Sequence, residues 1–255
     1  MSVKIIQEPI YNQIKDTNNG FANNTITAIA NSVAAGTTVV GHNSTALFMD
    51  FDGAVALDIT SSSANDTNTG SATGAKRLKV EGLFCDTSDL NHYKPRTALF
   101  NMNGTSNATL YSGVNLFSVV NKVSVISNGT NNHNEGNIFV KQTGTANLAG
   151  FIRATESQSH TFMKGVGHSN TLLIKDIHIS AFCQTGCVIK IYKQSLISGM
   201  KYLESQILIN DSTPHIIHQI NLKIEGNNVV YAEITNLETV TGNNFITMNC
   251  SSLLI

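Results

Sequence analysis

Four cysteines are the residues of this sequence that most resemble metal ligands. Cys183 and Cys187 flank Gln-Thr-Gly at a predicted hairpin turn, and zinc sites do use such spacings. A structural zinc site also needs a second close pair, whereas Cys85 and Cys250 are single and far apart. Four cysteines are also too few for a disulfide framework in 255 residues. We therefore predict mostly reduced thiols and no metal; whether Cys183 pairs with Cys187 stays open.

Two further pairs have the chemistry for cation binding or proton transfer. Asp50 and Asp52 would lie on one side of a strand, but no histidine or third acidic residue lies close to them in sequence. His215 and His218 are three positions apart, so on a strand they would face opposite sides and could not share a metal without a bend. We interpret all four as ordinary polar residues of strands or loops.

The segment from Lys164 to His168, Lys-Gly-Val-Gly-His, contains a glycine pair of the kind found in phosphate-binding loops. It lacks the third glycine and the strand–helix setting that a dinucleotide site requires. P-loop, nucleophile-elbow and zinc-protease motifs are also absent from the sequence. A catalytic triad dispersed along the chain would not be visible at this level. We predict no catalytic, cofactor-binding or metal-binding residues, and a protein that is not an enzyme.

Charged residues make up only 13% of the chain, about half the usual share, and the net charge is −1. The apolar fraction of 41% suffices for a core, so Asn, Thr, Ser and Gly replace the missing charges. This composition favours β-structure over helix or disorder. Lys76, Arg77 and Lys79 come nearest to a basic patch, which is too short for a nucleic-acid surface. Without a secretion signal or a transmembrane run, we expect folding in a cytoplasm.

Apolar and polar residues alternate along most of the chain from residue 44 onward. The alternation is clearest at residues 55–59, 77–81, 122–125, 176–180, 220–225 and 230–235. Each run is typical of a strand with one buried and one wet face. Turn-forming residues separate the runs, at Asn103-Gly104, Asn128-Gly129, Gly186 and Gly226-Asn227. About a dozen such strands predict an all-β, antiparallel sandwich or barrel rather than βαβ units.

Two segments leave the type of element open. Apolar residues recur at helical spacing between Ile26 and Val33, just before Gly36. Residues 25–36 therefore form either a short helix or part of an irregular arm with a strand at residues 37–40. Residues 196–208 fit a short helix or, preferably, strands.

Two polar stretches, residues 61–75 and 127–136, interrupt the strand pattern. They are either solvent-exposed loops or loops that become ordered only where a neighbouring subunit covers them. We divide the chain into an N-terminal arm, residues 1–43, irregular or partly helical, and a β-sandwich domain, residues 44–255. The second range leaves room for a β insertion or a second small β subdomain.

Several segments resemble a family of virion structural proteins found in large icosahedral DNA viruses of algae and protists and in marine tailed phages. Residues 58–83, DITSSSANDTNTGSATGAKRLKVEGL, resemble the family's Ser-rich stretch ending in Gly-Leu. Residues 99–105, LFNMNGT, and residues 134–140, NEGNIFV, are similar to its next strand-and-turn segments, in the same order. Two positions depart from the family pattern: residues 164–171 lack its proline, and the aspartate after Gly-Leu is displaced to Asp86.

The resemblance covers roughly residues 55–195 and carries no catalytic positions. It implies a jelly-roll type β-sandwich acting as a minor capsid or vertex (penton-like) protein in the virion, assembled in the host cytoplasm. The implied partners are other copies of the chain and other capsid proteins, with no nucleic acid, membrane insertion or small-molecule substrate. Two alternatives remain: a phage head-decoration or tail component, and a carbohydrate-binding β-sandwich module. The absence of tryptophan and an aromatic content of 7% disfavour the sugar-binding module.

Overall fold

The computed structural model describes residues 26–29, 38–40, 53–85, 88–89, 92–159, 163–182, 186–210, 215–236 and 245–255. All regular structure in these ranges is β-strand, and every strand pairing is antiparallel. The strands are β1 (Ile26–Ile29), β2 (Thr38–Val40), β3 (Leu57–Ser61), β4 (Ala75–Phe84), β5 (Lys94–Asn103), β6 (Ser106–Gly113), β7 (Val119–Asn128), β8 (Ile138–Gln142), β9 (Leu148–Ile152), β10 (Met163–Val166), β11 (Thr171–Phe182), β12 (Cys187–Ser195), β13 (Lys201–Ile209), β14 (His215–Glu225), β15 (Asn228–Asn236) and β16 (Phe245–Leu254).

Strands β3 to β9 form what we call the first sandwich. Its four-stranded sheet has the order β6-β5-β4-β7, so β7 returns beside β4 in a Greek key. The opposing sheet has the order β3-β8-β9. Both sheets share one core because their alternating residues point inward, among them Leu78 and Phe100 from one sheet and Ile59 and Val140 from the other. Burying each such side chain contributes about 1.5–3 kcal/mol.

The remaining strands form the second sandwich. One sheet has the order β1-β16-β11-β14 and the other the order β10-β15-β12-β13, with β2 also paired to β15. Numbered along the chain without β2, the first sheet holds strands one, eight, three and six, and the second holds two, seven, four and five. This is the strand order of a jelly roll. The predicted all-β antiparallel sandwich of jelly-roll type is confirmed.

One side of strand β15 in the second sandwich is covered by two short strands that are far apart in sequence. Strand β2 pairs with β15 up to the partners Val40 and Glu233, and β10 continues the same side of β15 from the partners Met163 and Tyr231. The two short strands therefore lie end to end beside β15. The whole first sandwich is inserted between them in sequence.

The structure contradicts the helix alternative at residues 26–29, and residues 30–37 lie outside the described ranges. Ile26–Ile29 is strand β1, paired with β16, and Thr38–Val40 is strand β2. Apolar residues at positions 26 and 29 fit a helical period, but pairing with two long strands outweighs that weak local preference. Residues 1–25 of the predicted arm lie outside the described ranges. Of residues 196–208, the part from Lys201 onward is strand β13, as preferred from sequence.

The turn-forming residues predict where the chain turns, but they do not show which sheets the flanking strands join. Asn103-Gly104 closes a hairpin between β5 and β6, and Gly104 has a φ of 62°. Gly226-Asn227 instead carries the chain from one sheet to the other, since β14 pairs with β11 and β15 pairs with β12. Alternation shows which face of a strand is buried and leaves open which sheet the strand joins.

The two sandwiches share a third apolar cluster. It combines Leu83 and Val119 of the first sandwich with Met163, Val229 and Tyr231 of the second. The corner residue Asn227 adds polar links at the same place. Its Oδ1 accepts a hydrogen bond from the Tyr93 backbone N–H at 3.2 Å, and its amide nitrogen lies 3.0 Å from His168 Nδ1.

Candidate functional site

Several of the residues singled out for chemistry lie outside the described part of the structure. Asp50, Asp52 and Cys183 lie outside the described residues. His218 lies on β14, where its Nε2 is 2.8 Å from the Ser205 hydroxyl of β13. Within the described ranges there is no group of three or more His, Cys, Asp or Glu side chains that could hold a metal ion. No helix in these ranges is long and apolar enough to cross a membrane.

The two described thiols are structural. Cys85 and Cys250 are both buried and free of disulfides. Burial raises the pKa of the Cys250 thiol to about 12, because the thiolate would lose its hydration. A thiol in that state is a poor nucleophile and a poor metal ligand. The predicted reduced state agrees with the structure at these two positions.

A buried aspartate is the polar centre of the first sandwich. Asp66 is 0% exposed, and its two carboxylate oxygens accept four hydrogen bonds. The Ser61 hydroxyl donates at 2.6 Å, and the backbone N–H groups of Ala75, Glu135 and Gly136 donate at 2.7, 2.9 and 2.8 Å. A buried carboxylate without such donors would be strongly destabilising. Asp66 therefore fixes the loop after β3 to the loop before β8.

The backbone around Asp66 ties in a third segment. The Asp66 carbonyl accepts a hydrogen bond from the Gly104 N–H at 2.8 Å, and the Gly104 carbonyl accepts one from Ser61 N–H at 2.9 Å. A side chain at Gly74 would place its Cβ 2.1 Å from Asp66 Oδ1. Only glycine fits there, because the carboxylate fills the space that a Cβ would need.

Two neighbouring side chains complete the loop cluster. Asn134 is 0% exposed; its amide donates to the carbonyls of Gly136 and Arg153, and its Oδ1 accepts from Ser157 N–H. Glu135 accepts hydrogen bonds from the side chains of Thr73, Asn65 and Asn131. The Thr73 hydroxyl, followed by the Asn65 amide, lowers the pKa of the Glu135 carboxyl below its ordinary value, since both donors stabilise the charged form.

The three segments that carry the family resemblance thus meet at one point. Residues 58–83 contain Asp66, residues 99–105 contain Gly104, and residues 134–140 contain Glu135 and Gly136. This role of Asp66 is not visible in the sequence, because a carboxylate in a polar loop shows no local sign of burial. Both polar stretches are ordered by contacts within the chain, so a covering neighbour is not needed to explain their order.

A second candidate site is a pair of sheet edges in the second sandwich. Strands β13 and β14 end their respective sheets, and the Ser205–His218 contact joins them. Among the described strands, neither has a partner on its outer side. The apolar side chains exposed on these strands and the preceding turn, here called the β13–β14 edge, are Ile197, Met200, Tyr202, Leu203, Leu208 and Ile217. Leu208 and Ile217 are 64% and 56% exposed.

Three ion pairs lie near the β13–β14 edge. Lys193 bonds Glu204 at 3.2 Å, Lys201 bonds Glu233 at 2.5 Å, and Lys223 bonds Glu225 at 3.1 Å. Such exposed pairs add little stability, but they leave the surface without a single-sign field. Open backbone groups, apolar side chains and balanced charge are the features of an edge that can accept another strand.

No protein-family model matches the chain, and no curated protein matches it. Among solved structures, the chain is similar to a chain in the structure of infectious bursal disease virus, Gt strain, at 9% identity and a TM-score of 0.21. The match covers 82% of this chain and 74% of the viral chain. T=1 particles derived from infectious bursal virus match at 9% identity and a TM-score of 0.25, over 82% and 71%. The VP2 subviral particle of infectious bursal disease virus matches at 8% identity and a TM-score of 0.21, over 88% and 73%. These neighbours are virus particle structures, and TM-scores this low do not establish a shared fold with them.

Proposed function

We propose that the chain is a virion structural protein that acts by associating with copies of itself and with other capsid proteins. The observation that carries this proposal is the open β13–β14 edge on a jelly-roll sandwich. Jelly rolls occur in viral capsid proteins and in lectins. The resemblance over residues 55–195 supports the capsid class, and a minor capsid or vertex position in the virion is the finer form of the proposal.

A second copy of the chain is the occupant that we assign to the β13–β14 edge. Another strand can add to either β13 or β14 and satisfy its open N–H and C=O groups. Ile207 and Ile209 face the core, so Leu208 lies on the outer face of its sheet, and Ile217 likewise lies on the outer face of the other sheet. A copy that adds a strand to either edge would cover the outer-face side chain beside it. Because the nearby ion pairs are already neutral, two identical surfaces can approach without repulsion.

The alternative of a sugar-binding module gains no support from the exposed aromatic rings. The guanidinium of Arg77 lies 3.7 Å from the centre of the Tyr111 ring and covers one of its faces. The ammonium of Lys193 lies 5.5 Å from the centre of the Tyr202 ring. Sugar recognition by stacking needs an open aromatic face, and cations occupy a face of both rings. We therefore propose a structural protein and not a lectin and, because the resemblance over residues 55–195 carries no catalytic positions, one that is not an enzyme.

We propose a division of the chain that follows the sheets. The jelly roll takes in β1 and β2 together with β10 to β16, and the first sandwich, β3 to β9, is the β insertion for which the sequence left room. In this proposal the jelly roll supplies the contacts between subunits, while the inserted sandwich supplies a rigid surface.

Sedimentation velocity of the purified chain over a range of concentrations tests the proposal. The wild type is expected to form oligomers, and the double variant Leu208→Lys with Ile217→Lys is expected to weaken association at least about tenfold, which is 1.4 kcal/mol. The matched control, Leu110→Lys with Ile126→Lys, adds the same charge to exposed sites of the first sandwich and should associate like the wild type. A wild type that stays monomeric at high concentration contradicts the proposal, and so does equal loss in both double variants.

A further inference from the structure

The junction between the two sandwiches contains two histidine rings in contact. His92 lies between β4 and β5 of the first sandwich, and His168 lies between β10 and β11 of the second. Their ring centres are 4.1 Å apart, and their planes are at 89° to each other. Neither the self-association proposal nor the family resemblance gives this pair a role.

The backbone of His168 is fixed on both sides. Its N–H donates to the Tyr93 carbonyl of the first sandwich at 2.7 Å. A Cβ at Gly226, at the corner of the second sandwich, would lie 2.2 Å from the His168 carbonyl oxygen. The chain therefore packs more closely here than a side chain would allow, and the His168 ring has a defined position at the junction.

The contacts of the ring nitrogens assign the protons. His92 Nδ1 lies 2.5 Å from Asp89 Oδ2, so this nitrogen carries a proton and donates it to the carboxylate. His168 Nδ1 lies 3.0 Å from the Asn227 amide nitrogen. Because an amide nitrogen can only donate, His168 Nδ1 must accept. The His168 ring is therefore neutral, with its proton on Nε2.

The same contact orients the Asn227 amide. While its nitrogen donates to His168, its Oδ1 accepts the Tyr93 N–H at 3.2 Å. The bond to Tyr93 joins the second sandwich to the first. It requires the amide oxygen to point to Tyr93, and that orientation is matched to an acceptor at His168 Nδ1.

A proton on His168 Nδ1 would reverse this match. The ring would then donate through both nitrogens, and two donors would face each other unless the amide turned its oxygen to His168. The turned amide would present its own N–H groups to the Tyr93 N–H, and the bond across the junction would be lost. Since Asn227 is buried, a donor left without its acceptor there is costly.

The charges around the rings favour a proton on His92 over one on His168. Among the described residues, Asp89 is the carboxylate that bonds either ring, and it bonds His92. A positive charge on His168 would face a positive His92 without a described carboxylate bonded to it. The other titratable side chains described on the segments that surround the rings are Cys85, Tyr93, Lys94 and Glu225. Glu225 is bonded to Lys223 at 3.1 Å.

We propose that the junction is a proton-sensitive contact, in which protonation of His168 turns the Asn227 amide and releases its bond to Tyr93. Histidines take up protons between pH 8 and pH 5, so the coupling of the two sandwiches would weaken as the pH falls through this range. Both rings are partly exposed, so solvent protons can reach them. This regulation acts within one chain and does not depend on self-association.

Nuclear magnetic resonance of the histidine ring nitrogens tests the assignment of the protons. At pH 8 the His168 ring is expected to carry its proton on Nε2, as the contact with Asn227 requires. A His168 ring with its proton on Nδ1 at pH 8 would overturn the proposal, because the amide would then already be turned.

Thermal unfolding at pH 8 and pH 5 tests the consequence. His168→Asn places an amide oxygen near the position of Nδ1 and cannot take up a proton. Between the two pH values this variant should lose less Tm than the wild type, by about 3 °C or more. The matched control His133→Asn removes a histidine of the first sandwich that bonds the Asn134 carbonyl, and it should lose as much Tm as the wild type.

A second variant guards against a folding defect in the first. Asn227→Asp presents two acceptor oxygens, so a protonated His168 and the Tyr93 N–H can both be bonded. Its loss of Tm between pH 8 and pH 5 should also be smaller than that of the wild type. Circular dichroism at pH 8 confirms that each variant is folded. Equal losses in the wild type and in both folded variants would refute the proposal, because the acid sensitivity would then arise elsewhere.

Discussion

The two sandwiches bury their polar groups differently. Four of the seven buried polar side chains among the described residues lie within the first sandwich, including Asp66 and Asn134, and a fifth, Ser159, accepts a hydrogen bond from its strand β7. The core of the second consists of aliphatic side chains and Cys250, and its exposed apolar residues cluster on the β13–β14 edge. The first sandwich also has open end strands, among them β6, so the two regions differ in their polar interiors and not in the openness of their edges. Buried polar contacts hold the loops of the first sandwich, and the proposed function assigns the contacts between copies to the β13–β14 edge of the second.

The largest effect is expected from Asp66→Asn. The new amide presents a donor to backbone N–H groups that now donate to a carboxylate oxygen, so at least one is left without an acceptor. We expect a loss of about 3 kcal/mol in the free energy of unfolding, measured by urea denaturation. The control Asp58→Asn alters a carboxylate whose partners, Thr143 and Gly144, are exposed, and should cost well under half as much. Equal costs would refute the role of Asp66 as a buried centre.

Asn227→Ala should weaken the junction between the sandwiches. The substitution removes the side-chain contacts to Tyr93 and His168 and places alanine at a φ of 61°. We expect a cost of about 2 kcal/mol, made of lost hydrogen bonds and backbone strain. Asn227→Gly removes the same side chain without the strain and should cost less. Separate unfolding transitions in calorimetry would show the sandwiches uncoupled, and an alanine variant as stable as the wild type would contradict the link.

The double variant of the β13–β14 edge is expected to change association and not the stability of the fold. The Leu208→Lys and Ile217→Lys double variant is expected to weaken association without changing the unfolding of the isolated chain by more than about 0.5 kcal/mol, since both residues are exposed. Comparing its urea transition at low concentration with that of the wild type checks this point. A large loss of stability would mean that the edge belongs to the fold and not to an interface.

The smallest expected effect is the contribution of Glu135 to the pH dependence of thermal stability. Its pKa in the folded chain lies below the ordinary value of 4.5, chiefly because Thr73 donates to it. A depressed folded pKa adds stability above the unfolded value, and that stability is lost as pH falls through the folded pKa. Tm measured from pH 6 to about pH 3 should therefore fall less steeply for Glu135→Gln than for the wild type. Glu225→Gln, on the exposed end of β14, serves as control, and identical slopes for Glu135→Gln and the wild type would contradict the prediction.

The sequence predicted strands well and their arrangement poorly. Alternation located β4, β11 and β14 because a half-buried strand shows its period directly. It could not show that β2 and β10 share one side of β15, since residues far apart in sequence supply them. The sequence left a helix and an irregular arm open for residues 25–36, and pairing with β16 makes residues 26–29 a strand. Asp66 was missed because its donors come from loops far away in sequence, such as the one that contains Gly136.

Hydrogen–deuterium exchange at low and high protein concentration tests the central claim most directly. If copies of the chain associate through the β13–β14 edge, the backbone amides of β13 and β14 should exchange more slowly at high concentration. Peptides from the loops around Asp66 should exchange slowly and equally at both concentrations, because their hydrogen bonds lie within one chain. Concentration-dependent protection in the first sandwich, with none in β13 and β14, would contradict the account.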